Sequence, residues 1–364
     1  MRLVITACVV AIAALSAALG QESAPRPPLP PLPKDELRAA DLLGRSKLGL
    51  PDPVPGVEST PDAIARLRLG RRLFFDPILS RDRTVSCASC HEPDHGFASR
   101  EAKPLGVAGR RADRNAPPAF NRAFGSSHFW DGRAPTLEVQ VLSPIENENE
   151  MALPLEQAVA RLAADANYRE LFAAAGAATP SREALAASIA EFLRRLVVAD
   201  SPVDRFRAAK GDLTPLERRG LWVFESKGRC WRCHAGPNFS DESFHDTGIG
   251  AKEGVPEPGR FAITNDPADR GRFKTPTLRM VALTAPYMHD GSMATLEEVA
   301  RFYARGGNKN ENLDPLLEPI ELSDEDVAAL VSFLQALSRP AEVSDAAPDH
   351  SDDDGTAATK KRAY

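Results

Sequence analysis

Aromatic residues are scarce in this 364-residue chain, which has three Trp and four Tyr and an aromatic content of 6%. No block rich in Lys and Arg interrupts its body, and its formal charge is −6, so the composition argues against a nucleic-acid partner. Five cysteines are too few for a disulfide scaffold. With 43% hydrophobic and 26% charged residues, the chain can form real cores but not a membrane bundle, and its length suggests about two domains.

The first twenty residues have the pattern of a secretory signal. Arg2 supplies the positive start, an almost unbroken apolar stretch follows, and Ala18-Leu19-Gly20 offers small residues to a signal peptidase. The stretch is short for a membrane span, so an uncleaved anchor is the less favoured alternative. We therefore predict a cleaved signal peptide over 1–20, a periplasmic protein, and no membrane span in the mature chain. Cys8 lies inside the signal, which leaves four cysteines in the mature chain: Cys87, Cys90, Cys230 and Cys233.

Composition also divides the rest of the chain. Residues 24–33 contain six prolines in ten positions, which is typical of a semi-rigid polyproline II spacer, and we predict a linker over 21–33. The Asp-rich end has few large apolar residues, which predicts a disordered tail over 341–364. Between linker and tail we predict an N-terminal domain over 34–205 and a C-terminal domain over 206–340, whose last helix could pack back on the first.

Apolar residues at three- and four-residue steps predict a mostly α fold. One stripe predicts a helix over 182–198, and a weaker stripe precedes it over 155–172. Two long loops rich in Gly, Pro and Asn, 93–127 and 235–285, separate the helices, and no stretch alternates long enough to demand a sheet. Capping residues followed by an acidic residue three positions later predict helix starts at Thr214, Thr295 and Ser323.

Two segments have the form Cys-x-x-Cys-His: CASCH at 87–91 and CWRCH at 230–234. Two thiols one helical turn apart can add to the two vinyl groups of one haem, and the imidazole of the next residue can then reach the iron. A redox dithiol or a zinc site is the alternative, but a His follows each pair directly. We therefore predict two covalent c-type haems, attached through Cys87, Cys90, Cys230 and Cys233, with His91 and His234 as iron ligands.

The sequence around these motifs resembles the bacterial di-haem cytochrome c peroxidase and MauG superfamily over about residues 69–337. The resemblance implies two cytochrome c-like helical haem lobes, with a peroxide-reacting haem in the first and an electron-transferring haem in the second. It also implies one calcium ion between the lobes. The blocks that carry it are LGRRLFFDPILS (69–80), FWDGRAPTLEVQVLSPIENENEM (129–151), KGRCWRCHAGPNFSD (227–241) and FKTPTLRMVALTAPYMHDGSMATLEEVARFY (273–303).

Two differences within the family favour its MauG-like branch. Fourteen positions beyond His289, where peroxidases usually have a Met ligand for the second haem, this chain has Tyr303. Peroxidases also commonly carry a distal His after the first motif, and this chain has none between His95 and His128. A phenolate donates charge and favours oxidised iron, whereas a thioether favours reduced iron. The resemblance makes Tyr303 the expected sixth ligand, with three thioethers as competitors: Met280, Met288 and Met293.

The resemblance also assigns roles near the chemistry. Glu150 matches a catalytic carboxylate over the first haem, which would move a proton during peroxide cleavage, although it also belongs to the acidic run ENENE. Gln140 and Pro144 match neighbours in that distal pocket. Trp130 matches an indole that relays an electron between the haems, with ordinary core packing as the alternative. The residues that match calcium ligands are Asn115, Thr284 and Pro286.

The remaining aromatic and imidazole side chains are expected to be structural. Trp222 falls on the predicted apolar face of a helix, which indicates a core position, and Trp231 is expected to pack within the second motif. The histidines outside the two motifs are expected to form structural hydrogen bonds: His95, His128, His245 and His289.

The resemblance implies an enzyme that uses hydrogen peroxide to form a high-valent state shared over two haems. This state would oxidise a residue of a partner protein, with Trp as the expected target, by long-range electron transfer. A peroxidase that takes electrons from a small cytochrome c or a cupredoxin is the first alternative. The residue that distinguishes this alternative from the MauG-like enzyme is Tyr303, where a peroxidase usually has Met. A non-enzymatic di-haem electron carrier is the second alternative, and Glu150 and the missing distal His count against it.

Overall fold

The computed structural model describes residues 48–338, so the predicted signal peptide, linker and tail lie outside the described residues. Helices dominate, and the described part has one small sheet of two antiparallel strands, in which His245 is paired with Phe273. The prediction of a mostly α fold is confirmed. The helices are α1 (Pro61–Phe75), α2 (Cys87–Cys90), α3 (Leu137–Glu146), α4 (Leu155–Ala164), α5 (Ala166–Ala174), α6 (Arg182–Arg195), α7 (Pro202–Arg207), α8 (Pro215–Glu225), α9 (Phe261–Thr264), α10 (Leu296–Ala304) and α11 (Asp324–Ala336), and the strands are β1 (Phe244–Asp246) and β2 (Arg272–Lys274).

Local capping signals set several helix ends where the sequence predicts them. The predicted helix over 182–198 is α6, which ends three residues early, at Arg195. The weaker stripe over 155–172 forms two helices, because the Asp165 side chain accepts hydrogen bonds from the first amides of α5 and starts a new helix there. Reciprocal capping boxes start α8, α10 and α11 at the predicted residues Thr214, Thr295 and Ser323.

Two helix crossings organise the two apolar cores. In the first, α1 packs on α6, with the rings of Phe74 and Phe192 5.1 Å apart. In the second, α8 packs on α11, with the rings of Phe224 and Phe333 5.0 Å apart. Buried apolar residues from 69 to 196 form the first cluster, and those from 203 to 337 form the second. We call the two halves the N-lobe and the C-lobe.

The prediction that Trp222 occupies a core position is wrong. Trp222 is 56% exposed and Trp231 is 49% exposed. The buried side of α8 is centred on Gly220 and includes Val223 and Phe224. Trp222 lies two residues from Gly220, about 200° around the helix axis, so it points away from the core.

Backbone and side-chain contacts join the two lobes. The Asn115 amide donates to the carbonyl of His289 at 2.9 Å, and the Lys274 amide donates to the carbonyl of Trp130 at 2.7 Å. A side chain crosses the same boundary, because the Nζ of Lys274 donates to the carbonyl of Ser127 at 2.6 Å. Within residues 48–338, none of the helices combines the length and the apolar character that a membrane crossing requires.

Candidate functional site

The first motif forms a short turn that is fixed by capping. Ser86 and Ser89 make a reciprocal capping box around α2, which places Cys87 and Cys90 one turn apart. His91 follows directly, and its Nδ1 is hydrogen-bonded to the Phe97 carbonyl at 3.1 Å. Burial lowers the pKa of His91, although backbone carbonyls oppose this shift. A neutral imidazole whose Nδ1–H is held by a carbonyl leaves Nε2 free as a metal ligand.

The second motif repeats this arrangement in the C-lobe. Residues Cys230–Arg232 form a single 3-10 turn, and His234 lies beyond it. The Nδ1 of His234 is hydrogen-bonded to the Phe239 carbonyl at 2.9 Å, and burial lowers the pKa of this imidazole. Both motifs therefore present a neutral, oriented imidazole beside a pair of cysteines.

The cysteine environments argue against a redox dithiol. The four motif cysteines are unpaired in the structure. Burial raises the pKa of Cys87, Cys90 and Cys230 to about 12. A reactive dithiol needs a lowered thiol pKa, so these environments do not favour redox chemistry at the two cysteine pairs.

A cavity of about 230 Å³ lies beside the second motif in the C-lobe. Its wall is largely apolar, with side chains from α10, α11 and the loops that precede them. A cavity lined by two thiols, an oriented imidazole and apolar side chains fits a haem. The sequence-predicted residues that line it are Cys230, Cys233, His234, Tyr303, Trp130, Asn115, Thr284 and Pro286.

Tyr303 reaches this cavity from α10. Burial raises the pKa of its phenol, and the thiols of Cys233 and Cys230 add to the shift, so the side chain lies near both cysteines. Within residues 48–338 its hydroxyl makes no hydrogen bond. Of the three competing thioethers, Met288 also lines the cavity, whereas Met280 packs against the N-lobe core. The phenol is half-buried and lines the cavity without a hydrogen-bond partner among the described residues, so its oxygen is available as a metal ligand.

Glu150 stands apart from the rest of its acidic run. Glu146 and Glu148 are exposed, whereas Glu150 is half-buried, and burial raises its pKa. Asn147 donates a hydrogen bond to Glu150 Oε1 at 2.7 Å. The Glu150 charge raises the pKa of Cys90, which places the carboxylate within electrostatic reach of the first motif. The structure thus brings Glu150 and the first haem motif together.

The helix before Glu150 supplies the other predicted distal residues. Gln140 and Pro144 are four positions apart on α3, so they share one face of that helix. Both are half-buried. The Pro144 carbonyl accepts a hydrogen bond from the amide of Met151, which ties the end of α3 to the residue after Glu150.

Trp130 lies at the boundary between the lobes. Its Nε1–H donates to the backbone carbonyl of Asn115 at 2.9 Å, and its indole lines the C-lobe cavity. Pro117 lines the same cavity, and its carbonyl lies beside the His91 ring of the first motif. The region around Trp130 therefore connects the surroundings of both motifs.

The three predicted calcium ligands also converge on the C-lobe cavity. Asn115 is buried, and its Nδ2 donates to the carbonyl of Glu101 at 3.3 Å, which leaves its Oδ1 as an acceptor. Thr284 and Pro286 follow the 3-10 turn Val281–Leu283 and line the cavity with Asn115. Amide and carbonyl oxygens are suitable ligands for a hard cation such as calcium.

The sequence interpretation did not identify His245, which lies between two carboxylates, as part of the site. His245 Nδ1 lies 2.6 Å from Asp314 and Nε2 lies 3.0 Å from Asp241, and His245 and Asp314 both line the cavity. The hydrogen bond with Asp314 is the main reason why the pKa of His245 rises to about 11. His95 and His289 also make hydrogen bonds of the expected kind, to the carbonyl of Ala285 and to the carboxylate of Glu257.

Comparisons with known proteins agree with this geometry. The family model for di-haem cytochrome c peroxidase matches residues 64–212. The chain is 37% identical to the methylamine utilization protein MauG of Methylorubrum extorquens, over 82% of this chain and 86% of that protein. It is 34% identical to cytochrome c551 peroxidase of Pseudomonas aeruginosa, over 79% of this chain and 83% of that protein. The crystal structure of a MauG-like protein associated with microbial copper homeostasis matches with a TM-score of 0.73 and 34% identity, over 80% of this chain and 95% of that chain.

Proposed function

The chain belongs to the family of di-haem cytochrome c peroxidases and MauG proteins, and on that premise we propose that it is a MauG-like enzyme acting on a partner protein. Family membership makes it a haem-dependent oxidoreductase that acts with hydrogen peroxide and carries two haems. The proposed reaction uses peroxide to oxidise a residue of a periplasmic protein substrate, with Trp as the favoured target, by long-range electron transfer. We propose that both haems are covalently attached, at the cysteines of the two motifs.

The proposed division of labour follows from the two motif environments. Bound haems would supply the site of the peroxide reaction and a store for oxidising equivalents. His91 and His234 would hold the irons through Nε2, because their Nδ1 atoms are hydrogen-bonded to backbone carbonyls. The lobes proposed from the sequence, 34–205 and 206–340, would then carry one haem each.

Glu150 is the proposed acid–base residue for the peroxide reaction. Cleavage of an O–O bond needs a group that takes the proton from the inner oxygen and returns it to the outer one, and a carboxylate can do both. The hydrogen bond from Asn147 orients one carboxylate oxygen, while burial keeps the pKa above its usual range. Gln140 and Pro144 would complete the pocket above the first motif.

The observation that carries the proposal is the position of Tyr303. Its phenol lies near Cys230 and Cys233 inside the C-lobe cavity, with no hydrogen bond from the described residues. As sixth ligand, a phenolate would stabilise oxidised iron, whereas a thioether would stabilise reduced iron. The second haem would then be suited to hold an oxidising equivalent, and Trp130 would pass electrons between the lobes.

A peroxidase that draws electrons from a small cytochrome c or a cupredoxin is the second candidate. Similarity to a cytochrome c551 peroxidase favours it, as does the presence of Met288 in the same cavity as Tyr303. If Met288 were the ligand, the enzyme would require one-electron reduction before it reacted with peroxide. Similarity to a cytochrome c551 peroxidase and to the family model for di-haem cytochrome c peroxidase counts against the electron-carrier alternative.

Tyr303→Phe tests the proposal directly. Hydrogen peroxide is added to the ferric holoenzyme without any electron donor, and the haem absorption spectrum is followed in time. We expect the wild type to form a long-lived oxidised state. In the variant the lifetime of this state should be at least about tenfold shorter, which corresponds to about 1.4 kcal/mol in the activation free energy of its decay. Both haems should stay attached, because Tyr303 makes no covalent bond to them.

Tyr287→Phe is the matched control, since Tyr287 also lines the cavity and burial also raises its pKa, to about 12. This variant should keep the oxidised state. A wild-type ferric enzyme that stays inert until it receives one electron would instead establish the peroxidase candidate.

We further propose one calcium ion held by Asn115 Oδ1 and by the carbonyls of Thr284 and Pro286. The presence of all three residues in the lining of the same cavity supports the site. Metal analysis of the purified holoenzyme, before and after dialysis against a chelator, tests it. A protein that retains both haems and contains no calcium before dialysis would contradict it.

A further inference from the structure

A layered cluster of side chains, which the mechanism above does not use, packs against Trp130. The guanidinium of Arg114 lies 4.4 Å above the ring of Phe273. Phe273 in turn stacks on His289, with ring centroids 3.7 Å apart and an interplanar angle of 20°. The imidazole of His289 meets the Trp130 indole at 6.3 Å in an edge-to-face arrangement. These four side chains form a continuous column, which we call the Trp130 stack.

Glu257 ties this column together from the side. Its Oε1 lies 2.5 Å from Nε2 of His289, and its Oε2 lies 3.7 Å from the Arg114 guanidinium. Burial opposes ionisation of Glu257, but the hydrogen bond with His289 and the charges of His289 and Arg114 hold its pKa below the usual value. One carboxylate therefore contacts the His289 layer and the Arg114 layer at once, which fixes the rotation of the imidazole ring.

The Trp130 stack is built across the boundary between the lobes. Arg114 and Trp130 come from the N-lobe, whereas Glu257, Phe273 and His289 come from the C-lobe. The backbone repeats this pattern, because the Asn115 amide donates to the His289 carbonyl while the Asn115 carbonyl accepts from Trp130 Nε1. The orientation of the indole relative to both lobes is thus set by the same contacts that hold the lobes together.

The hydrogen bond of Trp130 restricts what its indole can do. One electron leaves the indole toward the oxidised centre, and one electron from the donor replaces it. The Nε1 proton stays in place, because its partner is a backbone carbonyl, which is not a base at neutral pH. No proton has to return to Nε1. The rate of electron transfer through the indole therefore depends on the position of the ring and on the charges around it rather than on proton transfer.

We propose that Glu257 is a positioning residue, which acts through His289 to hold Trp130 in the orientation required for electron transfer between the lobes. The inference rests on the proposed role of Trp130 as a relay. Glu257 has no proposed contact with substrate or haem, and its effect passes through the imidazole.

The test measures electron exchange between the two haems in the holoenzyme. One haem is reduced by a flash-generated reductant, and re-equilibration is followed by absorbance. Glu257→Gln should slow this exchange between about twofold and about thirtyfold, the range found for residues that couple sites without contacting either ligand. Glu257→Asp, which keeps the carboxylate, should restore part of the rate. Glu253→Gln is the matched control, since Glu253 lies on the same loop and is exposed, and it should have no effect.

A double-mutant cycle separates this inference from the proposed function. In a Trp130→Phe background, Glu257→Gln should cause no further slowing, because its effect passes through the indole. If Trp130→Phe alone leaves the exchange rate unchanged, the relay itself is wrong. If Trp130→Phe slows exchange but Glu257→Gln does not, the positioning role is overturned while the relay stands. The same conclusion follows if Glu257→Gln slows exchange by the same factor in the wild-type and Trp130→Phe backgrounds.

Haem content and the unfolding midpoint are measured for each variant. Should Glu257→Gln fail to load haem, Arg114→Gln provides the same test from the N-lobe side of the stack, because it removes the outer layer and the ion pair with Glu257. This variant should slow exchange in the wild-type background and not in the Trp130→Phe background. Equal slowing in both would overturn the proposal.

Discussion

At the scale of single residues, burial separates chemically identical side chains into different roles. Glu146, Glu148 and Glu150 lie in one acidic run, yet only Glu150 is half-buried and lies near the first haem motif. The side chain of Glu148 is 69% exposed and pairs with Arg110 at the surface. The local sequence is almost the same around each, so the difference comes from the turn after α3, which directs Glu150 inward.

We expect Glu150→Gln to slow the reaction of the ferric enzyme with hydrogen peroxide by about 10²- to 10⁴-fold, the usual contribution of a positioned acid–base group. Stopped-flow absorbance measures this rate. Glu148→Gln is the control and should leave it unchanged. A Glu150→Gln enzyme that reacts at the wild-type rate would remove Glu150 from the mechanism.

The same residue predicts a pH dependence. The carboxylate is the form that accepts the proton, so the rate should fall as the pH falls through the pKa of Glu150. Since burial raises this pKa, the midpoint should lie above the value of about 4.3 for an unperturbed Glu. The fall in rate should be absent in Glu150→Gln, and a midpoint at or below the unperturbed value would contradict the buried environment.

At the scale of secondary-structure elements, both lobes use a glycine to bring two helices into contact. A Cβ atom on Gly70 of α1 would lie 1.8 Å from the carbonyl oxygen of Ser188 on α6. A Cβ atom on Gly220 of α8 would lie 2.0 Å from the carbonyl oxygen of Ala329 on α11. These partners are backbone atoms, which cannot rotate away, so the helices would have to separate.

Gly70→Ala and Gly220→Ala should therefore destabilise the protein by about 1–3 kcal/mol each, the usual cost of overpacking. Helix propensity alone predicts the opposite sign, a gain of up to about 1 kcal/mol, so the sign of the change distinguishes the two effects. Denaturant unfolding of the holoenzyme gives the free energy. A stability gain in either variant would show that the helices are not in close contact at that glycine.

At the scale of the whole molecule, a buried ion pair anchors the loop that carries Arg279 to α7, where the C-lobe begins. The Arg279 guanidinium donates to both carboxylate oxygens of Asp204, at 2.7 and 2.9 Å, and also to the Pro237 and Gly49 carbonyls. Burial opposes ionisation of Asp204, but its hydrogen bond with Arg279 holds the pKa of this carboxyl below its usual value. Removal of one partner would leave the other charge buried and uncompensated.

We expect Arg279→Met to lower the free energy of unfolding by about 3–5 kcal/mol, as for other broken buried pairs. Because the pKa of Asp204 is lowered by folding, the pair stabilises the protein above the unfolded pKa of about 3.9, and this contribution is lost as the pH falls through the folded pKa. The difference between wild type and variant should therefore shrink in acid.

Arg301→Met serves as the comparison, since Arg301 pairs with Asp324 at the surface, where the two side chains are 54% and 86% exposed. Its cost should be below about 1 kcal/mol. An equal loss of unfolding free energy in the two variants would mean that the buried pair stabilises the protein no more than a solvated pair does.

Much of the local structure of this protein is determined by a few consecutive residues, and this local structure could be predicted from the sequence. The spacing of Cys87, Cys90 and His91 is a property of one turn, and capping residues such as Thr214 act on amides three positions away. A mostly α fold follows from apolar periodicity in the same way. These features are local, so neither the other lobe nor the solvent boundary can change them.

Only the tertiary structure decided which side chains are enclosed and what they meet. Asp314 reaches His245 across 69 positions, and Glu257 reaches His289 across 32. Exposed Trp222 was predicted to be buried because periodicity identifies a helix but gives only an approximate direction for its buried face. Burial and pairing depend on how separate elements pack, and that packing is a sum of many contacts between residues that are distant in the chain.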